Sequence, residues 1–164
     1  MPELPEYMKK GEKQPDQVFS PDERLFRRVP PDFWDDGGIN VDAIEFPDMS
    51  VTREKYGPPS AARWDRGNLV DWGVIEFDVK DIPSRIPFQG AVVYSMKPVH
   101  VPLKNNYPHS EVQIFESKWG QTDVSVRLEK KTMPGVPREA RQEWRELLRR
   151  KCRISLRPGE QENL

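Results

Sequence analysis

Cysteine and histidine are scarce: the chain has one cysteine, Cys152, and two histidines, His100 and His109, among 164 residues. A lone thiol excludes an internal disulfide framework and any thiolate zinc cluster within one chain, and two histidines flanking a loop supply at most half of a metal's ligands. No metal is therefore expected. Apolar runs are short, none approaching the ~20 residues that a membrane span requires. The opening residues also lack the apolar stretch of a signal peptide, so a soluble, cytoplasmic protein without membrane contact is expected. A net charge of −1 gives the chain as a whole no field that would draw it to nucleic acid or anionic lipid.

Proline is abundant instead. Seventeen prolines punctuate the chain, and proline is excluded from helix interiors and central strands, so long regular elements are expected to be few. Hydrophobic residues make up 35% and charged residues 32%, a lean composition in which five Trp, seven Phe and four Tyr must supply much of the buried area. This length fits one domain. The polar residues 1–24 read as a tail or surface strap, 25–158 as the folded domain and 159–164 as a polar C-terminal tail. Charge is unevenly distributed. Residues 138–157 carry eight Arg or Lys against three Glu, a local +5, and Glu160 and Glu162 add −2, which leaves −4 on residues 1–137.

Five stretches read as strands: LFRRV (25–29), GVIEFDV (73–79), AVVYSM (91–96), SEVQIF (110–115) and TDVSVRL (122–128). In the last, Val124, Val126 and Leu128 alternate with polar residues, as on a strand with one wet face. LFRRV reads as an edge strand with two solvated arginines. The loop ESKWGQ is short enough to join the last two strands as an antiparallel hairpin. One helix is predicted from Pro137, which suits a first helical position. Ala140, Trp144, Leu147 and Leu148 share one face, Glu146 can pair with Arg150, and Arg149, Arg150 and Lys151 complement the helix C-terminus. The fold class is α+β: a single domain, mainly antiparallel sheet, with a C-terminal amphipathic helix packed on one face.

The chain opens MPELPE, and this resembles the start of formamidopyrimidine-type DNA glycosylases, where the resemblance would make Pro2 the nucleophile, Glu3 its acid-base partner and Lys55 (in Arg53-Glu-Lys-Tyr56) a phosphate contact. The four-cysteine zinc finger of that family cannot be built from one cysteine and the chain is too short, so the likeness is coincidental. A second resemblance spans about residues 24–158. LFRRVPPDFW, an AIEF segment followed by Ser50-Val51, Pro108-His109-Ser110-Glu111-Val112 and a Pro-led, Arg-rich helix are similar to a family of bacterial proteins of unknown function. That family pairs a Leu-Tyr-Arg-Arg opening with a Ser-Val segment and a Pro-x-His-Ala-x-Ile element. This chain has Ser110 in place of the alanine and a Pro- and Asn-rich stretch before His109. The resemblance implies a bacterial, intracellular protein and singles out His109 as the residue to test for acid-base work.

Residue order also resembles ADP-ribosyltransferases. These hold NAD with an Arg or His on an early strand, a Ser-centred strand beside the nicotinamide, and a Glu on a later strand that stabilises an oxocarbenium-like transition state. Arg28, Ser50 and Glu111 occur in that order, with Gln113 where the usual Glu-x-Glu pair has its second acid. An arginine suits a diphosphate and a carboxylate suits a ribose hydroxyl. The helical Arg141, Arg145, Arg149 and Arg150 are candidates for binding an acidic protein surface or phosphates, although no aromatic side chain interleaves with them to stack on bases. Cys152, one turn beyond Leu148, has no base and orienter arranged around it.

The first functional expectation is a non-catalytic module that binds a protein partner of the kind encoded beside it in a bacterial multi-gene defence or conflict system, with no cofactor and with self-association as a further mode. The alternatives are an NAD-consuming ADP-ribosyltransferase-like enzyme using Arg28, Ser50, Glu111 and His109, and weak nucleic-acid binding through the C-terminal helix.

Overall fold

The computed structural model describes residues 3–65, 67–83, 85–88, 92–118, 125–131 and 136–162. Ten strands occur among them: β1 (Arg24–Val29), β2 (Trp34–Asp35), β3 (Gly38–Ile39), β4 (Met49–Arg53), β5 (Gly73–Asp78), β6 (Ile86–Phe88), β7 (Val92–His100), β8 (His109–Lys118), β9 (Ser125–Arg127) and β10 (Arg153–Leu156). The single α-helix of the described residues is α1 (Arg138–Arg149). The main sheet runs β10-β5-β1-β4-β8-β7-β6, with β9 also on β8, and β2 pairs with β3 as a separate two-stranded ribbon. Every pairing is antiparallel. The expected α+β architecture, a mainly antiparallel sheet with one C-terminal helix on it, is what the chain forms. The turn joining β8 to β9, and part of the strand expected over 122–128, lie outside the described residues.

Alternation of side chains along each strand divides the sheet into two unlike faces. One face is the main core: Leu25 and Val29 of β1, Met49 and Val51 of β4, Ile75 and Phe77 of β5, Tyr94 and Met96 of β7, and Val112 and Ile114 of β8 pack against Ala140, Trp144 and Leu148 of α1. Trp144 is fully buried and meets Tyr94 edge-on at 4.9 Å and Phe46 at 5.9 Å. The buried helix positions are spaced i, i+4, i+8. Leu147, expected on the same face, lies about 60° round the helix from Trp144, on the side away from Leu148, and is 37% exposed.

Other expectations are corrected. LFRRV is not an edge strand, since β1 lies between β4 and β5. Its arginines are not solvated: Arg27 is buried and donates to the carbonyls of Ala43 (2.9 Å) and Ser50 (3.0 Å), and Arg28 is half-buried. Nor are the strands all short, because β7 spans nine residues and β8 ten. Pro98 is tolerated in β7 because β6 pairs only with Val92–Tyr94, so the missing N–H faces no partner strand. Pro137 occupies the N-cap, one position before the helix, and Glu146 pairs with Arg149 at 2.7 Å rather than with Arg150.

The opposite sheet face carries a smaller cluster of Phe26, Val74, Leu156 and Ala62. Ala62 comes from a 3-10 turn (Pro59–Arg63) laid over the sheet and fixed by Arg63, which is buried and donates to the carbonyls of Trp72 (2.8 Å), Glu160 (2.6 Å) and Arg157 (3.1 Å). At the sheet's other end a strap of residues 14–23 is held by Arg53, fully buried, which forks onto Glu23 at 2.9 and 2.7 Å and also donates to Val18 O at 2.7 Å. Gly73 begins β5 beneath Trp34, where an added Cβ would stand 2.0 Å from the indole ring.

Candidate functional site

Three adjacent strands build the site. β4 pairs with β8 so that Ser50 lies opposite Glu111 and Thr52 opposite His109, and β1 pairs with β4 so that Phe26 lies opposite Thr52. Alternation then sets Arg28, Ser50, His109 and Glu111 on one face, the face away from α1. Neighbouring strands are roughly 4.8 Å apart, so the backbone carrying all four spans about 10 Å across the sheet.

Arg28, Ser50 and His109, with Phe26 and Thr52, floor a cleft of about 420 Å³. Trp64, Asp65 and Trp72 wall one side, carried there by the Pro59–Arg63 turn, and Leu103 and Asn106 wall the other. A second lobe of about 780 Å³ adjoins the first, sharing Trp64, Asp65, Leu103 and Asn106 and adding Leu4, Asn68, Val70, Lys104 and Asn105. Glu111 is not in the cleft's lining; it is on the same sheet face, two residues beyond His109 in β8.

The polar groups are ordered by specific bonds. Arg28 donates to Trp64 O at 3.0 Å and to Asp65 Oδ2 at 3.1 Å, with its guanidinium 5.7 Å from the Trp72 ring centre. His109 Nδ1 lies 2.9 Å from Val101 O. A carbonyl only accepts, so Nδ1 carries the hydrogen and Nε2 is an acceptor, and Nε2 faces Ser50 Oγ at 3.3 Å. Ser50 is exposed and donates to an imidazole whose tautomer the backbone has already chosen. A hydroxyl, a base within hydrogen-bond reach and a third group orienting the base form the arrangement that activates an oxygen for attack. Glu111 is steadied by Gln113 Nε2 at 3.1 Å and lies 3.7 Å from Arg127, which is itself held by Asp48 at 2.8 Å.

The remaining sequence candidates are not brought to this face. Of Arg141, Arg145, Arg149 and Arg150 only Arg150 is exposed; Arg145 approaches Asp42 at 4.0 Å, and the Glu146 carboxylate beside Arg149 pushes that guanidinium's pKa up. Cys152 donates to Leu148 O and burial pushes its thiol up to about 12, so it is a poor nucleophile at neutral pH. His100 is buried and is not in the cleft's lining: Nδ1 accepts from the Asp16 N–H at 2.8 Å, so Nε2 donates to Tyr107 O at 2.7 Å. Lys55 pairs with Asp16 at 2.8 Å in the strap, and Pro2 lies outside the described residues. Among the described residues no group of three His, Cys, Asp or Glu could hold a metal ion, and no helix is long and apolar enough to cross a membrane.

Trp64, Trp72, Leu103 and Asn106 line the candidate site, and the sequence did not single them out. They sit in irregular segments with no period, and only the long-range bonds of Arg63 and the pairing of β7 with β8 bring them over the sheet. No family model, curated protein or solved structure matches the chain.

Proposed function

We propose that this protein binds an NAD-type dinucleotide in the cleft and cleaves its nicotinamide–ribose bond, passing ADP-ribose to water or to an acceptor. One observation carries the reading: Arg28, Ser50 and Glu111, residue types suited to diphosphate, amide and ribose, lie on one face of three neighbouring strands beside a cleft walled by two tryptophans. In the reaction the bond between nicotinamide nitrogen and ribose C1′ breaks, and its electron pair leaves on a neutral nicotinamide. The positive charge that builds on the ribose is met by the Glu111 carboxylate, which also accepts from a ribose hydroxyl. Arg28 contacts the diphosphate with the guanidinium donors that Trp64 and Asp65 leave over. Water then adds its oxygen to C1′ and gives its proton to His109 Nε2, the ring nitrogen that the Val101 bond keeps free of hydrogen.

The test is release of nicotinamide from NAD by the full chain, followed by chromatography. Glu111→Gln is expected to lower turnover by about 10²–10³, the usual cost of removing one charge-stabilising group. Absence of nicotinamide release would overturn the reading.

A second reading is an accessory module for a protein partner. Leu103 (48% exposed) and Val70 (38%) offer apolar surface on the rim of the same cleft, which favours it. Its test is co-purification at fixed stoichiometry with the product of a neighbouring gene, lost on Leu103→Glu.

A further inference from the structure

The second lobe of the cleft has a composition unlike the first. Its polar lining is dominated by carboxamides, Asn68, Asn105 and Asn106, set around Trp64 with Leu4, Val70 and Leu103, and its charges are one Asp65 and one Lys104. A lobe that takes a phosphate needs clustered guanidinium or ammonium donors, and this one has none beyond Lys104. An indole beside several amides suits a flat, neutral ring with both donors and acceptors on its edge. The ring stacks on the aromatic face, and a carboxamide can bond bidentately to the adjacent amine and ring nitrogen of adenine. Asn106 supplies a further sign. It stands where the two lobes meet, and its Oδ1 has no hydrogen-bond partner among the described residues although it is buried. A buried acceptor left unpaired favours any ligand N–H toward which the amide can turn.

We infer that the second lobe is a purine-base site, with Trp64 as the stacking surface and Asn106 as the edge-reading residue. It rests on the dinucleotide reading only in that both lobes then hold one molecule; the base site itself stands on Trp64 and the amides. Arg28, at the first lobe, and Trp64, at the junction, are joined by the bond from Arg28 to Trp64 O (3.0 Å), so the diphosphate contact and the base platform are positioned by the same loop.

The experiment is calorimetric titration of the full chain with adenosine and separately with glucose, using wild type, Trp64→Ala, Trp64→Phe and Asn106→Ala. Circular dichroism checks that each variant is folded. The expected result is saturable adenosine binding, no glucose binding, and at least a tenfold loss with Trp64→Ala and Asn106→Ala that Trp64→Phe largely restores. Equal affinity in wild type and Asn106→Ala, preference for glucose, or no adenosine binding would overturn the inference. Adenosine binding without nicotinamide release would leave the base site standing and remove the transferase reading. NAD cleavage that adenosine does not inhibit would do the reverse.

Discussion

Two corners of this molecule are built from the same residue types and do opposite things with them. At the strap corner Arg53, His100, Asp16, Glu23, Tyr56 and Tyr107 are packed together. Arg53 is fully buried and shares its donors between Glu23 and strap carbonyls, both nitrogens of His100 are bonded, and Tyr56 stacks on the imidazole at 5.5 Å. At the cleft Arg28, His109, Trp64 and Trp72 face an open volume. The His109 Nε2 acceptor meets only an exposed serine hydroxyl, and Arg28 is half-buried. A saturated polar cluster fixes a chain segment, whereas one with acceptors facing a cavity is available to a ligand. Residue type alone does not separate the two corners; burial and the neighbouring cavity do.

The comparison can be broken by substitution. Arg53→Ala leaves the nearly buried Glu23 carboxylate without its partner and should cost about 3–5 kcal/mol in chemical denaturation, the range for breaking a buried ion pair. Gly73→Ala is expected to cost about 1–3 kcal/mol, since the new methyl forces the Trp34 ring off Val29 O, to which its Nε1 donates at 3.0 Å. If Gly73→Ala leaves the melting temperature unchanged, the packing of Trp34 on β5 is wrong.

Acid should act on the two histidines differently. Burial lowers the pKa of His100, with the positive charge of Arg53 acting in the same direction and the bond to Tyr107 O opposing it. Its folded-state pKa lies below its unfolded value of about 6.5. The unfolded chain therefore takes up the proton first, and the stability from neutral His100 is complete above about pH 6.5 and lost as pH falls below it. Denaturation across that window should show stability declining with acid, and His100→Gln should flatten the slope. The smallest effect is at the cleft. His109→Ala should change stability by no more than about 0.5 kcal/mol, the range for residues outside the core, while removing the nicotinamide release proposed above. A large stability loss there would mean that His109 is a second structural histidine.

Much of the fold was legible in the sequence, for local reasons. β5, β8 and α1 announce themselves through β-branched runs and a 3.6-residue apolar period, which neighbouring residues suffice to specify. The place of β1 was not legible. Arg27 and Arg28 look like the residues of a wet edge strand, and only the carbonyls of Ala43, Ser50 and Trp64, from segments distant in sequence, turn them inward. The cleft was half legible. Arg28, Ser50, His109 and Glu111 could be named from order and residue type, and the pairings of β1 with β4 and of β4 with β8 set them on one face, Glu111 outside the lining. Its walls could not be, because Trp64, Trp72 and Asn106 lie in irregular segments whose course depends on Arg63 and on backbone bonds such as His109 N to Asn106 O.

The most direct test of the division into a working cleft and a structural corner is an amide-resolved NMR titration of the full chain with NAD. The expected result is saturable shifts confined to residues around 28, 50, 64, 72, 106, 109 and 111, with the amides of Asp16, Glu23 and His100 unmoved. Shifts centred on the strap corner or on α1, or none at all, would contradict it.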